Sequence, residues 1–422
     1  MVGPLLRYGI NGLIIKAIMN RKRLALCFLL GSAWLGVAGP RELAAQLVPL
    51  GPEVDLLADT WPNDPFVAVQ PDGAYVVAWD EGFDSHAGVF YRYVAAGSAP
   101  KEEWPATIES PDEGYPSVDA VTATPRGFDV LWREPDFPSW KPTAFYRQHL
   151  TRKGVPDGKP IRLGGSGTEW IWHVRGNGFI AGWTLRGKHG IAARRLASSG
   201  QRTGPELRLN SRPIDNPYPV VLAVADGGFL AVWLGVVPGP TRTLVLRARR
   251  FSPAGKPLGP DFDVNSIPLG VAGLYYPDLQ VAAAPGGGFA VAWRLGATIY
   301  LRFFNATGTA LGSEIPAATS EDFEDGYEPV PESMAFDKSG NLLLLWMNWL
   351  DDTGLHLQLF DPHGTPLGTP VGVRSEASDI FEAPWGGSVA WAGDSWLVTW
   401  GAAGMPAGDF STIFVRRFAS KK

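Results

Sequence analysis

A tryptophan recurs along this chain at nearly regular intervals, and each time it ends a short apolar run. Successive copies are 50 to 60 residues apart. Self-similarity at a period of this length predicts an array of structural repeats, which restricts the fold more than any other feature of the sequence. The seven copies are Trp79, Trp132, Trp183, Trp233, Trp293, Trp346 and Trp400.

Each repeat is predicted to contain four short β-strands. A turn signal such as Pro125-Arg126-Gly127 or Asp226-Gly227-Gly228 precedes the run that ends in tryptophan. Because Gly, Asn and Asp supply the positive φ that tight hairpins need, the first two strands form a hairpin. A third strand comes next, and a Gly-containing turn and a weaker fourth strand follow it. The third strands are predicted at Val89–Val94, Phe145–Leu150, Ile191–Leu196, Leu244–Phe251, Ile299–Phe304, Leu355–Phe360 and Ile413–Phe418.

The two ends of the chain complete one another. The last repeat stops after its third strand, whereas residues 49–56 near the N-terminus match Pro257–Val264 of the fourth repeat. We therefore expect a closing strand within residues 47–59 to complete the last repeat, as in a ring rather than an open array with capping repeats. The sequence predicts an all-β, seven-bladed β-propeller of four-stranded antiparallel blades in residues 46–422.

With these repeats, the chain resembles the large and mostly uncharacterised group of exported bacterial β-propeller repeat proteins. Their repeats combine Pro-x-Val, a Gly turn, a Phe-Val-Val-Trp-like strand, an Arg-Phe strand and Gly-x-Pro-Leu-Gly. The resemblance covers about residues 47–422 and implies the propeller fold. Its motif is structural, so it supplies no functional residues.

Residues 1–45 have the pattern of a secretory signal peptide. The basic stretch Arg21-Lys22-Arg23 precedes an apolar run that ends near Val37, and Leu43-Ala44-Ala45 follows. Met19 is a plausible true start, and the alternative is an N-terminal membrane anchor, for which the apolar run is short. The expected location is secreted, periplasmic or at the cell surface. Cleavage would remove Cys27, the single cysteine, and with it any disulfide or thiolate chemistry.

The charge balance limits the kinds of partner. Residues 46–422 carry 31 Lys and Arg against 41 Asp and Glu, a net charge of −10. This balance argues against nucleic acid as a partner and against an anionic membrane. We expect a monomer without membrane insertion after cleavage of the signal.

Candidate ligand-binding residues lie in the long connections from strand two to strand three and from strand four to the next repeat. These connections meet on one face of a propeller, and they are rich in acidic and aromatic residues. Aromatic rings beside carboxylates favour carbohydrate, although a peptide or protein surface would also fit, and the Tyr-Pro units are alternatively rigid corners. The candidates are Glu81, Asp84, Tyr115, Trp140, Tyr218, Tyr276, Asp325, Tyr327, Glu328, Trp349 and Asp352.

The leading hypothesis is therefore an exported, non-enzymatic binding module. The alternative is a glycoside hydrolase or polysaccharide lyase whose carboxylates, Asp119 and Asp278 for example, converge at the channel mouth. A purely structural module of a larger envelope complex is a third reading. No residue is assigned as catalytic, since no Gly-x-Ser-x-Gly elbow is present.

The sequence makes no firm prediction of a cofactor. The six histidines do not lie at metal-ligand spacing. Residues 321–328 hold five carboxylates, which suggests Ca²⁺, but they do not follow a known calcium-loop pattern and a solvated acidic loop is the alternative.

Overall fold

The fold follows the repeat that the tryptophans mark. The structure is a computed structural model, and it describes residues 46–56, 62–81, 87–101, 103–111, 115–136, 141–164, 167–174, 178–185, 187–224, 227–270, 278–320, 329–348, 354–374, 384–403 and 411–421. The secondary structure of these residues is all β-strand apart from turns and bends. They contain no helix that could cross a membrane.

The first three blades follow two short strands, β1 (Gln46–Pro49) and β2 (Val54–Asp55). In each blade, neighbours in sequence pair antiparallel, from the innermost strand to the outermost. Blade 1 contains β3 (Phe66–Val69), β4 (Tyr75–Glu81), β5 (Gly88–Val94) and β6 (Ala106–Ile108). Blade 2 contains β7 (Ser117–Thr124), β8 (Gly127–Asp136), β9 (Lys141–Thr151) and β10 (Ile161–Leu163). Blade 3 contains β11 (Trp170–Val174), β12 (Gly178–Leu185), β13 (Gly190–Leu196) and β14 (Arg202–Arg208).

The next three blades have the same strand order. Blade 4 contains β15 (Asp215–Ala223), β16 (Phe229–Val236), β17 (Leu244–Phe251) and β18 (Phe262–Asp263). Blade 5 contains β19 (Leu279–Ala283), β20 (Phe289–Leu295), β21 (Thr298–Phe304) and β22 (Ile315–Thr319). Blade 6 contains β23 (Val330–Phe336), β24 (Leu342–Met347), β25 (Leu355–Phe360) and β26 (Pro366–Gly372).

Blade 7 joins the two ends of the chain, which confirms the predicted closure. It contains β27 (Trp385–Trp391), β28 (Trp396–Ala403) and β29 (Ser411–Lys421). Both β1 and β2 pair antiparallel with β29, so together they supply the outer strand. The seven four-stranded sheets form a closed seven-bladed propeller, the predicted fold class.

The repeated tryptophan packs between blades, as its position in an apolar run predicts. Six of the seven copies are buried, while Trp183 is half-buried. Trp79, for example, joins a core with Leu397 and Val415 of blade 7. In five blades the indole also stacks on a ring of the third strand, and the pairs are Trp79–Phe90, Trp132–Tyr146, Trp293–Tyr300, Trp346–His356 and Trp400–Phe414.

An arginine of the third strand fastens several blades to the blade before them. Arg302 donates from Nε to Gly312 O at 3.1 Å in its own blade, and from Nη1 to Val264 O at 2.6 Å in blade 4. Arg416 makes the corresponding bonds to Gly51 O and Val373 O. Because each bridge spans two blades, this side chain stabilises the ring as well as its own sheet.

The glycine of the turn between the third and fourth strands is required by geometry. In six blades this residue has a φ between +69° and +87°. A Cβ at Gly154 would lie 2.3 Å from the Cβ of Tyr93 in blade 1, so the turn packs directly on the preceding blade. At Gly154, glycine alone satisfies both the positive φ and the close packing. The six residues are Gly97, Gly154, Gly200, Gly255, Gly308 and Gly364.

Candidate functional site

Carboxylates gather where the innermost strands begin, on the face that carries the long connections. In six of the seven blades an acidic residue lies within three residues of the start of this strand, and all six are half-buried. Together they define the channel mouth: Asp64, Asp119, Glu169, Asp215, Asp278 and Glu332. In blade 7 the corresponding place is held by Gly386, whose missing side chain makes room for Asp64, since a Cβ there would lie 1.9 Å from Asp64 Oδ1.

The residue that follows the repeated tryptophan holds several of these carboxylates. Arg133 Nη1 lies 2.9 Å from Asp119 Oδ1, and Arg294 Nε lies 3.3 Å from Asp278 Oδ2. In blade 3 the same position is Thr184, whose hydroxyl donates to Glu169 Oε2 at 2.6 Å. Each pair joins the first and second strands of one blade. The mouth therefore presents ion pairs and hydrogen-bonded carboxylates rather than a continuous negative ring.

A histidine reaches the mouth from the neighbouring blade. His189, in the turn before β13, has a φ of 48° and places Nδ1 2.5 Å from Asp215 Oδ1 at the start of β15. His189 is 49% exposed and Asp215 is 38% exposed, so a ligand could reach both side chains. This pair links blades 3 and 4 at the mouth.

Asp80 occupies the same post-tryptophan position in blade 1, where blades 2 and 5 have an arginine. The side chain is 1% exposed, and it accepts hydrogen bonds from Val118 N of blade 2 at 2.7 Å and from the Asn63 side chain. Burial, with a smaller contribution from the nearby Asp64, raises the pKa of Asp80 to about 7 against the lowering effect of these two donors. Burial likewise raises the pKa of Asp119, against the pull of Arg133.

The raised pKa of Asp80 predicts a stability difference that depends on pH. In the unfolded chain its pKa is about 3.9. Because the folded pKa is higher, the contribution of Asp80 to stability is complete below the unfolded pKa. It is lost as the pH rises to the folded pKa of about 7. Asp80→Asn cannot ionise, and its stability relative to the wild type should increase from pH 4.5 to pH 7 and then level off. Urea unfolding at each pH measures the difference, with Asp157→Asn, at an exposed carboxylate, as the control.

Three of the predicted ligand residues lie among the described residues. Tyr115 and Tyr218 are 40% and 52% exposed at the entries to blades 2 and 4, so both rings are accessible at the mouth. Glu81 is instead 5% exposed and accepts a hydrogen bond from Trp79 Nε1 at 3.1 Å, as Glu134 does from Trp132 in blade 2. The other candidates, Asp84, Trp140, Tyr276, Asp325, Tyr327, Glu328, Trp349 and Asp352, lie outside the described residues, as do residues 1–45 and the acidic segment 321–328.

A buried polar cluster between blades 2 and 3 was not anticipated from the sequence. Asp129 of β8 is fully buried, and its Oδ1 lies 2.8 Å from Arg147 Nη2 and 2.7 Å from His149 Nδ1. His173 of blade 3 places Nε2 3.4 Å from Asp129 Oδ2. Hydrogen bonds from His173, Arg147 and His149 hold the pKa of Asp129 below its usual value although burial opposes them. The cluster joins blades 2 and 3 through a buried carboxylate and the basic side chains around it.

The repeat itself contains the signal for this cluster. Three residues before the repeated tryptophan, six blades have an apolar residue and blade 2 has Asp129; the apolar residues are Val76, Ile180, Leu230, Ala290, Leu343 and Leu397. An ionisable group at one copy of a core position would have marked the site, but only an alignment of the blades with each other reveals it.

Among the described residues, no group of three or more His, Cys, Asp or Glu side chains is arranged to hold a metal ion.

Comparisons with known proteins support the architecture. No protein-family model matches the chain, and no curated protein matches it. Among solved structures it is similar to the polysaccharide lyase Uly1, with a TM-score of 0.53, 10% identity, and coverage of 88% of this chain and 100% of that one. A protein of unknown function from Dyadobacter fermentans gives a TM-score of 0.48 at 13% identity over 89% and 99% of the two chains.

A prolyl endopeptidase structure is also similar, with a TM-score of 0.49 and 12% identity over 82% of this chain. The chain spans 46% of the length of that protein. At 10% identity the likeness to the lyase shows the fold alone, and the seven closed sheets define the chain as a seven-bladed β-propeller.

Proposed function

We propose that this protein binds carbohydrate at the channel mouth. The observation that carries the proposal is the combination, on one face, of two exposed tyrosines with paired carboxylates at the starts of the innermost strands. Ligand sites concentrate on such connections, which a rigid scaffold positions. The proposed binding surface is thus the face of the channel mouth, where the connections differ most in sequence from blade to blade.

The chemistry of the mouth suits sugar hydroxyl groups. A carboxylate accepts hydrogen bonds, while an adjacent guanidinium donates them, so a pair such as Asp119–Arg133 can engage both functions of neighbouring hydroxyls. Asp215 and His189 form a second accessible acid–base pair. The Asp119–Arg133 pair needs no net charge on the ligand, because it already contains both signs.

The tyrosines would supply the apolar part of the contact. A sugar ring has an apolar face that packs on an aromatic ring, and the tyrosine hydroxyl remains able to form hydrogen bonds. Tyr115 lies just before β7 of blade 2 and Tyr218 lies in β15 of blade 4, so blade 3 stands between them in the ring. A peptide could use the same rings, but peptide binding is the competing outcome of the test below.

Removing both rings should weaken glycan binding. In calorimetry with the oligosaccharide that binds best on a glycan array, we expect Tyr115→Ala with Tyr218→Ala to reduce the affinity by about fivefold to 150-fold, as two lost ring contacts of about 0.5–1.5 kcal/mol each imply. The Tyr→Phe pair, which keeps both rings, should retain most of the affinity. Leu258→Ala, at a residue 53% exposed between the third and fourth strands of blade 4, is the off-site control.

The proposal fails if the array detects no glycan while a peptide library yields ligands, or if the double Ala variant binds its oligosaccharide as tightly as the wild type.

An enzymatic role at the same mouth is favoured by one observation. Asp80, with a pKa of about 7 and with Asp64 nearby, resembles the pair of unequal carboxyl groups used in glycoside cleavage. However, both oxygens of Asp80 accept hydrogen bonds from the protein, which is the arrangement of a structural contact. Turnover of a polysaccharide that Asp80→Asn abolishes without loss of folding would replace the binding proposal by this one.

A further inference from the structure

The charge of the chain is divided unevenly between blades. Residues 117–208, which contain blades 2 and 3, have 15 Lys and Arg against 7 Asp and Glu. Their net charge is +8, so the remainder of residues 46–422 carries −18. The overall negative balance therefore conceals a basic sector, which creates a local positive potential.

Several exposed bases of this sector lie in its tight turns, on the face opposite the mouth. Arg126 lies in the turn between β7 and β8, and Arg152 and Lys153 lie between β9 and β10. The two turns touch, since Arg152 Nε donates to Pro125 O at 3.1 Å. Lys159 follows in the second connection, and Arg202 begins the outer strand of blade 3.

The other blades show that these bases are not part of the propeller design. The two residues before the turn glycine are Arg152 and Lys153 in blade 2, but Pro253 and Ala254 in blade 4. Blade 5 has Ala306 and Thr307 there. Because the same turn forms without charge elsewhere, folding alone does not account for the basic pair.

An exposed tryptophan adjoins these turns. Trp104 is 67% exposed and lies two residues before Ala106, which pairs with Tyr91. Tyr93, two residues further along β5, is the residue against which Gly154 of the basic turn packs, so Trp104 and this turn lie at the same end of β5. The exposed carboxylates Asp72, Glu103 and Asp157 lie nearby, and Glu103 pairs with Lys101 at 3.5 Å.

We propose that the basic turn surface, formed by Trp104, Arg126, Arg152, Lys153, Lys159 and Arg202, binds an anionic polysaccharide. The bases would contact its carboxylate or sulfate groups, while Trp104 packs on a sugar ring. A stiff duplex of high charge density would extend over blades that carry the negative charge, whereas a flexible chain with spaced charges can follow the short basic surface. This inference is independent of the function proposed for the mouth.

The test uses heparin and alginate as probes, with dextran as the uncharged comparison. The wild type should bind at least one anionic polysaccharide, with an affinity that falls as salt increases, and should not bind dextran at this surface. The quadruple variant R126A/R152A/K153A/K159A should lose at least tenfold in affinity and show a weaker salt dependence. Trp104→Ala should reduce the affinity without changing the salt dependence, because it removes packing rather than charge.

The matched control is the pair Lys256→Ala and Lys338→Ala, two exposed bases in the corresponding turns of blades 4 and 6. It should bind like the wild type. The proposal is overturned if neither anionic polysaccharide binds, if the quadruple variant binds as tightly as the wild type, or if duplex DNA or phosphatidylserine vesicles bind more tightly than both polysaccharides.

Discussion

A chain that begins at residue 57 should fail to fold cooperatively, whereas one that begins at residue 46 should fold. Residues 46–56 supply the outer strand of blade 7, and without them the ring has an unpaired edge on β29. Leu47 and Leu56 belong to two different interior clusters, and the truncation would remove a buried side chain from each. The expected result is loss of the sigmoidal urea transition by circular dichroism, and aggregation by size-exclusion chromatography.

Single substitutions separate the closing contact from chain length. Leu56 is fully buried, and its N–H donates to Ile413 O at 2.8 Å. Leu56→Ala should lower the free energy of unfolding by about 2–5 kcal/mol, through lost burial and the cavity that remains. Leu50, 53% exposed in the same segment, is the control, and Leu50→Ala should change stability by less than about 0.5 kcal/mol. Equal effects of the two substitutions would contradict the role given to the closing strand.

The architecture was predictable because its signals occur repeatedly. The tryptophan, the hairpin turns and the glycine before the fourth strand each recur from blade to blade, so a weak local pattern becomes strong. The closing strand was found for the same reason, by its match to Pro257–Val264. A feature that physical packing requires in every blade is one that a single sequence can reveal.

The candidate site was predictable only as a face. Exposed Tyr115 and Tyr218 follow from their places at the entries to innermost strands. The pairing of Asp119 with Arg133 depends on the strand register as well as on the residue that follows the tryptophan. Arg133 lies opposite Ser117, and its guanidinium contacts Asp119 two residues further along β7. Glu81 illustrates the limit, because an acidic residue at the end of a strand can equally turn inward and accept from an indole.

The buried cluster between blades 2 and 3 leads to the second large expected effect. Asp129→Ala would leave Arg147 buried without its carboxylate, at a position where both side chains are less than 10% exposed. Removing one partner of such a buried pair costs about 3–5 kcal/mol, because the remaining charge has neither water nor a counter-ion. Urea unfolding at pH 7 should show a loss of this size.

The other blades provide the matched control. Blade 6 has Leu343, Leu357 and Leu359 at the positions of Asp129, Arg147 and His149. The triple variant D129L/R147L/H149L copies this apolar arrangement and should recover most of the stability at pH 8, since well-packed apolar groups can replace a buried ion pair. If the triple variant were as unstable as Asp129→Ala, the cost would come from lost shape rather than from an unpaired charge.

The pH dependence of the Asp129→Ala effect gives an independent check on this explanation. The pKa of Asp129 is lowered in the folded protein, so its stabilisation is present above the unfolded pKa of about 3.9 and is lost as the pH falls through the folded value. The wild type should thus be more stable than Asp129→Ala at pH 5 and above, and the difference should shrink below pH 4. A difference that persists unchanged into strong acid would show that the carboxylate charge is not what holds blades 2 and 3 together here.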